Sequence, residues 1–144
     1  MSDEELSEGI KLLKIASAIQ YTVMGIPTVY YGDEAGVQGM KDPFCRAPYP
    51  WGNENKELLD WYIKLGNLRN NKVFIDGDMN IKYAEDGVLI YERVSGDKKV
   101  IVAINRSQEE FEFILDKTMC DYMGDDYVSG KITIAPDVIK IFVS

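Results

Sequence analysis

The side chains able to do chemistry collect between Gly32 and Asn55, and the types that are missing narrow the choice as much as those present. Asp33-Glu34 opens this stretch, directly after the β-forming run Thr28-Val29-Tyr30-Tyr31, and Asp42, Arg46, Tyr49 and Trp51 follow. The chain has no histidine, which removes Ser-His and Cys-His dyads, histidine metal sites and the usual near-neutral proton shuttle. Cys45 and Cys120 form neither a CxxC pair nor a disulfide framework and read as small, partly buried fillers of a chain from a reducing compartment. Asp76-Gly77-Asp78-Met79-Asn80 begins like a calcium loop. It then fails, because Ile81 stands where Gly is needed and Gly87 where the bidentate Glu should be, so a tight turn is expected. Asp121 with Asp125-Asp126 reads as a solvated acidic loop. No metal site and no cofactor are expected.

These residues need elements to position them. Ser2 with Glu5 three places on has the form of a capping box, and a helix is expected from Asp3 to about Met24. Apolar stripes on two sides of it (Leu6, Ile10, Leu13; Leu12, Ile15, Ala16, Ile19, Val23) predict a helix covered within a packed layer. Gly25 ends it, Pro27 prevents its continuation, and Thr28–Tyr31 reads as a strand buried on both faces, as in a parallel sheet. The loop Gly32–Asn55 is long enough to imply function or disorder, and its aromatics and prolines argue against disorder. A second helix is expected over Lys56–Asn70, with Leu58, Trp61, Tyr62, Leu65 and Leu68 on its core face.

Beyond Asn71 the period changes to that of strands. The candidates are Met79–Tyr83, Val88–Ser95, Lys98–Asn105, Glu110–Leu115, Lys131–Ile134 and Asp137–Val143, with hairpin turns at Asp86-Gly87 and Gly96-Asp97. Short strands without intervening helices predict an antiparallel sandwich. The tail's aromatics, Tyr91, Phe111, Phe113 and Phe142, fall at positions compatible with a core. A doubly buried parallel strand needs neighbours that this chain does not offer, so residues 1–71 read as a remnant of a larger α/β fold. In a (β/α)8 barrel, Asp33-Glu34 and the loop after them would lie at the strand end where chemistry takes place.

Charge and targeting signals exclude several classes of function. Sixteen basic against 24 acidic side chains leave a net charge of −8, which repels phosphate backbones and anionic membranes. The acidic start Met1-Ser2-Asp3-Glu4-Glu5 has no signal-peptide form, no apolar run reaches 18 residues, and a cytoplasmic setting is the expectation.

Gly25-Ile26-Pro27-Thr28-Val29-Tyr30-Tyr31-Gly32-Asp33-Glu34 resembles the eighth-strand motif of the α-amylase family, glycoside hydrolase family 13. Asp42-Pro43-Phe44-Cys45-Arg46-Ala47-Pro48-Tyr49-Pro50-Trp51 is similar to a loop of its neopullulanase, cyclomaltodextrinase and maltogenic-amylase branch, and Ile134–Ile139 resembles the end of the domain that follows the barrel. The implied fold is an α/β barrel remnant, the last strand and flanking helices of a (β/α)8 barrel (1–71), followed by an all-β antiparallel sandwich, the amylase C-terminal domain (72–144). The C-terminal domain is expected to cover apolar surface near the last barrel helix, with Leu65 and Leu68 as contacts. The geometric footing of this reading is Thr28–Tyr31 as the closing strand of that barrel.

The resemblance implies a retaining α-glucan hydrolase acting on starch, maltooligosaccharide, cyclodextrin or pullulan-type substrates. The catalytic carboxylates of the family lie on strands before the eighth, so none falls on this chain, which is expected to be inactive alone. The resemblance maps substrate contact near the non-reducing end to Asp42 and Arg46; an Arg fork and a carboxylate four residues apart can hydrogen-bond vicinal hydroxyls, with Tyr49 or Trp51 as a stacking face. For Asp33-Glu34 a role in anchoring the loop is the expectation. The alternative is a non-catalytic carbohydrate-binding or structural β-sandwich module. An α-glucan for the intact parent is the expected partner; nucleic acid and membrane are not. Uncovered apolar surfaces of the barrel part predict a homo-oligomer.

Overall fold

A computed structural model describes residues 2–39 and 41–144. Its elements are α1 (Asp3–Thr22), a single 3-10 turn (Phe44–Arg46), α2 (Lys56–Leu68), a one-turn α3 (Val73–Asp76) and six strands: β1 (Asp78–Glu85), β2 (Val88–Ser95), β3 (Lys98–Asn105), β4 (Phe111–Asp121), β5 (Asp126–Ile134) and β6 (Val138–Val143).

The predicted capping box is present: Glu5 N–H donates to Ser2 Oγ, and Ser2 N–H to the Glu5 carboxylate. Helix α1 stops at Thr22, two residues earlier than expected, and Gly25 behind it takes φ +115°, a value that side-chain-bearing residues avoid. Only one face of α1 is covered, by way of Ile15, Ser17, Ala18 and Thr22. Ile15, Ile19 and Val23 of the second stripe face the larger core, while Leu12 and Ala16 of that stripe are exposed and Leu6, Ile10 and Leu13 of the first are half-buried. Helix α2 follows its predicted pattern, with Leu58, Tyr62, Leu65 and Leu68 buried and Asn55 Oδ1 accepting from Leu58 N–H as cap. Trp61 is half-buried and donates through Nε1 to Ser17 Oγ on α1 at 3.0 Å.

Thr28–Tyr31 corrects the expectation most clearly. The segment is not a strand: among the described residues it has no ladder partner, Thr28 and Tyr31 are exposed, and Tyr30 is 59% exposed. The cause lies in strand physics, since a run of β-formers needs a neighbouring backbone for its N–H and C=O groups. The Gln20 side chain supplies one local substitute, donating to the Thr28 carbonyl at 2.6 Å.

The strand half follows the sequence closely. β2 and β3 match their predicted limits, while β4 and β5 run longer and close a hairpin by pairing Met119–Asp121 with Val128–Asp126. At the β1–β2 turn, Asp86 and Gly87 both have positive φ, as a primed hairpin turn requires. All pairings are antiparallel, in one hydrogen-bonded sheet of order β1-β2-β3-β6-β4-β5 rather than in two separate sheets. β4 joins β6 only through Cys120 and Asp121. Its other end crosses the sheet, so that Leu115 and Met119 of β4 and Ile132 and Ile134 of β5 share a core with Val88 and Ile90 of β2, Ala103 of β3 and Phe142 of β6. The sheet thus folds back on itself, giving a sandwich-like interior without a second sheet.

The opposite face carries the larger core. Tyr91, Val100, Val102, Ile104, Ile139 and Ile141 of the sheet pack against Ile15 and Ala18 of α1, Leu65 and Leu68 of α2, and Val73 and Phe74 of α3. Leu65 and Leu68 therefore make the contact expected of them. Gly77 lies at the crossing from α3 to β1, where a Cβ would come within 2.3 Å of the Val73 carbonyl oxygen, so only glycine fits.

Candidate substrate-contact loop

The Gly32–Asn55 loop is closed at its base by backbone. Asp33 N–H donates to Tyr30 O, Val37 N–H to Gly32 O at 2.9 Å, and Asn55 N–H to Ala35 O at 2.9 Å. Glu34 Oε2 accepts from Gly32 N–H at 3.0 Å, so this carboxylate holds the turn, as an anchoring role requires. Asp33 is half-buried, and its carboxyl is pushed up from the ordinary range by partial burial first and by the Glu34 charge second, with a backbone bond at Tyr30 opposing both. Partial burial, then the Glu34 and Glu54 carboxylates, push the Tyr49 phenol up as well.

Beneath the turn is a cavity of about 350 Å³ lined by Tyr21, Val29, Tyr31, Glu34, Leu59, Tyr62 and Ile63. Burial is the main cause that raises both Tyr21 and Tyr62. The helical spacing of Tyr62 marked it as a core residue; nothing in the sequence tied Tyr21 to this place.

At the loop's tip the two predicted contact residues come together. Arg46 Nε lies 2.9 Å from Asp42 Oδ1, with the arginine side chain 71% and the aspartate 63% exposed. The 3-10 turn Phe44–Arg46 sets this spacing, and Cys45 Sγ lies 3.8 Å from the same carboxylate oxygen. Among the described residues no other hydrogen bond engages the Arg46 guanidinium, so its Nη groups are open to a ligand. Tyr49 and Trp51 pack with ring centroids 4.6 Å apart, and Trp51 is 81% exposed. Tyr31 Oη donates to Ala47 O at 3.1 Å and so links the extended segment to the tip, a contact the sequence did not signal. An exposed carboxylate, an arginine fork and an open indole can hydrogen-bond and stack on a polyol. They do not form an acid–base pair.

The remaining candidates resolve structurally. Asp76 closes α3 and accepts from Ser95 Oγ at 2.7 Å, while Asp78 begins β1, so the calcium-like stretch spans a helix end and a strand start. Asp121 corrects the reading of a solvated acidic loop: it is 7% exposed and 2.7 Å from Lys140 Nζ. Asp125 does remain exposed, paired with Lys64 of α2 at 2.8 Å. Cys45 and Cys120 are half-buried and free. Among the described residues no cluster of three or more acidic or cysteine side chains is placed to hold a metal, and no helix is long and apolar enough to cross a membrane. A second cavity of about 460 Å³ lies over the part of β4 between Leu115 and Met119, where its register with β5 shifts; it is lined by Tyr83, Ile90, Ile101, Phe111, Phe113 and Met119 and shares no residue with the loop.

Comparison with known proteins supplies what geometry alone does not. Residues 77–124 match the family Alpha-amylase C-terminal domain. An amylopullulanase of Thermoanaerobacterium thermosulfurigenes is 39% identical over 118 residues, covering 74% of this chain and 6% of that protein. A cyclomaltodextrinase of Thermoanaerobacter pseudethanolicus is 35% identical over 108 residues, covering 73% of this chain and 19% of the relative. In structure, an Anoxybacillus α-amylase superposes with a TM-score of 0.83 at 27% identity, over 93% of this chain and 32% of the amylase. The chain thus spans a small fraction of each. The unpaired Thr28–Tyr31 segment adds no geometric support to the assignment, which stands on these matches. Residues 77–124 match an α-amylase C-terminal domain, and the chain belongs to the α-amylase family, glycoside hydrolase family 13, with relatives named amylopullulanase, cyclomaltodextrinase and neopullulanase.

Proposed function

We propose that this chain is the C-terminal part of a retaining α-glucan hydrolase acting on starch, maltooligosaccharide, cyclodextrin or pullulan-type substrates. In this reading residues 1–71 complete the catalytic barrel, with Thr28–Tyr31 as its last strand, and 72–144 form the appended β domain. The observation that carries it is the likeness to a cyclomaltodextrinase and an amylopullulanase over about three quarters of the chain, a span that includes much of the helical half as well as strands. Retaining hydrolysis requires two carboxyl groups about 5 Å apart, one as nucleophile and one as acid and base. The only adjacent pair in the loop, Asp33-Glu34, has Glu34 tied to the turn backbone. In the family this chain resembles, the catalytic pair lies on strands before the eighth, and on this reading the 144-residue chain is inactive by itself.

Asp42 and Arg46 take the role of sugar contacts, holding vicinal hydroxyls near the non-reducing end. The aromatics Tyr91 and Phe142 are fully buried and Phe111 and Phe113 half-buried against a core, which leaves a carbohydrate-binding-module reading without an exposed row. The exposed Leu12, Tyr31 and Ile63 favour self-association of the isolated chain, which light scattering reads directly. The decisive assay is reducing-sugar release from maltoheptaose, cyclodextrin and pullulan. The purified chain is expected to release none, and turnover by contaminant-free material would overturn the proposal.

A further inference from the structure

The C-terminus of α1 is capped from outside the helix. Its last turn contains no basic residue of its own. A helix end leaves carbonyls without intrahelical partners, and two arginines distant in sequence take them here. Arg93 of β2 donates through Nη1 to Thr22 O at 3.0 Å and Val23 O at 3.2 Å, and through Nη2 to Gly77 O at 3.0 Å. Arg69, just past α2, donates through Nη1 to Tyr21 O at 2.9 Å and Val23 O at 3.3 Å, and through Nη2 to Gly25 O. The Phe74 ring lies 5.4 Å from both guanidinium carbons and offers each a cation–π contact. Two residues before Arg93 on the same strand face, Tyr91 Oη lies 2.5 Å from Thr22 Oγ1.

This junction continues into the loop. Gln20, in the last turn of α1, holds the Thr28 carbonyl; three residues on, Tyr31 Oη holds Ala47 O, next to Arg46. We propose that Arg93 of the strand half and Arg69 at the end of α2 are positioning residues that together set the place of the Asp42–Arg46 loop, by way of the α1 terminus and Tyr31. A guanidinium suits the task because one planar fork reaches several carbonyls at fixed angles, which a lysine ammonium does not. The loop's role in sugar contact rests on the function proposed above; the mechanical linkage does not.

Amide hydrogen exchange by mass spectrometry on the 144-residue chain tests it. Arg69→Met and Arg93→Met are each expected to speed exchange at least tenfold at Val23, whose N–H bonds Ile19 O. The same rise is expected at Phe44 and Arg46, whose N–H groups bond Lys41 O and Pro43 O. The β3 amides of Val100–Asn105 keep their rates. In a Tyr31→Phe background, Arg69→Met is expected to add less than twofold at Phe44 and Arg46, because the relay is already cut. Unchanged loop rates beside a frayed helix end would overturn the proposal, and so would equal acceleration in β3, which would make the arginines general supports. Should Arg93→Met fail to fold, Arg69→Met decides alone. None of these readouts depends on sugar, so their outcome is separable from that of the hydrolysis assay.

Discussion

Tyr91 shows how one side chain can join two halves of a molecule and register pH in doing so. It is fully buried, and burial pushes its phenol from 10.0 up to about 12, with Thr22 and Arg93 acting the other way. The folded state therefore holds this proton more tightly than the unfolded chain. Stability is complete below pH 10 and falls as pH rises towards 12, by up to about 2–3 kcal/mol for two units. Tyr91→Phe is expected to cost about 1 kcal/mol at pH 7, through loss of the bond to Thr22. It should also flatten the decline between pH 10 and 12, as urea melts at several pH values would show. Asp42 and Arg46 lie at the other extreme. Both side chains are mostly exposed, so Arg46→Ala should change the unfolding free energy of the chain by less than about 1 kcal/mol. In the parent enzyme the same change should raise KM for maltooligosaccharides about tenfold, the worth of one charge-assisted hydrogen bond. A KM that does not move would remove Arg46 from the sugar site.

At the scale of elements, α2 decides how the helical half meets the sheet. Its Leu65 is fully buried in the larger core beside α1, α3 and the strands. Leu65→Ala should destabilise the chain by about 2–5 kcal/mol, because the sheet beneath is paired on both sides and cannot collapse into the gap. Ile63 on the same helix is exposed, and Ile63→Ala should cost little, so melting curves of the two variants give an internal control. Among the described residues, α2 reaches the β4–β5 turn through Lys64 to Asp125 and to Met123 O, and through Tyr122 Oη, which donates to Lys64 O. Partial exposure of Lys64 and Asp125 makes their pair a matter of register more than of stability.

For the whole molecule, the larger core contains residues from both sides of Asn71, so neither half buries its apolar surface alone. Ending the chain after Asn71 would uncover Ile15, Ala18, Leu65 and Leu68, and the product should aggregate or fail to show a cooperative melt. In the parent enzyme the same truncation should lower Tm, and an unchanged Tm would dispose of a stabilising role for the β domain. Among the exposed apolar side chains, Met24, Ile26, Tyr30 and Tyr31 form a run at and beyond the end of α1. Their exposure accompanies the unpaired state of Thr28–Tyr31, which has no neighbouring backbone to bond.

Local pattern was enough for the elements whose partners adjoin them in sequence. The alternation of Val100, Val102 and Ile104 and the turns Asp86-Gly87 and Gly96-Asp97 placed β2 and β3 to the residue, since a hairpin contains its own ladder. Ser2 and Glu5 placed the start of α1 for the same reason. Asp42 and Arg46 are legible as a candidate sugar contact; that they pair with each other is seen in the structure. What only the tertiary structure decided is whatever depends on distant partners: that Thr28–Tyr31 stays unpaired, that β4 and β5 fold back across β2 and β3, that Asp121 is buried against Lys140, and that Arg69 and Arg93 meet at the end of α1. Side-chain type and spacing encode local hydrogen bonding and the side an element buries; they do not encode which remote segment arrives to cover it.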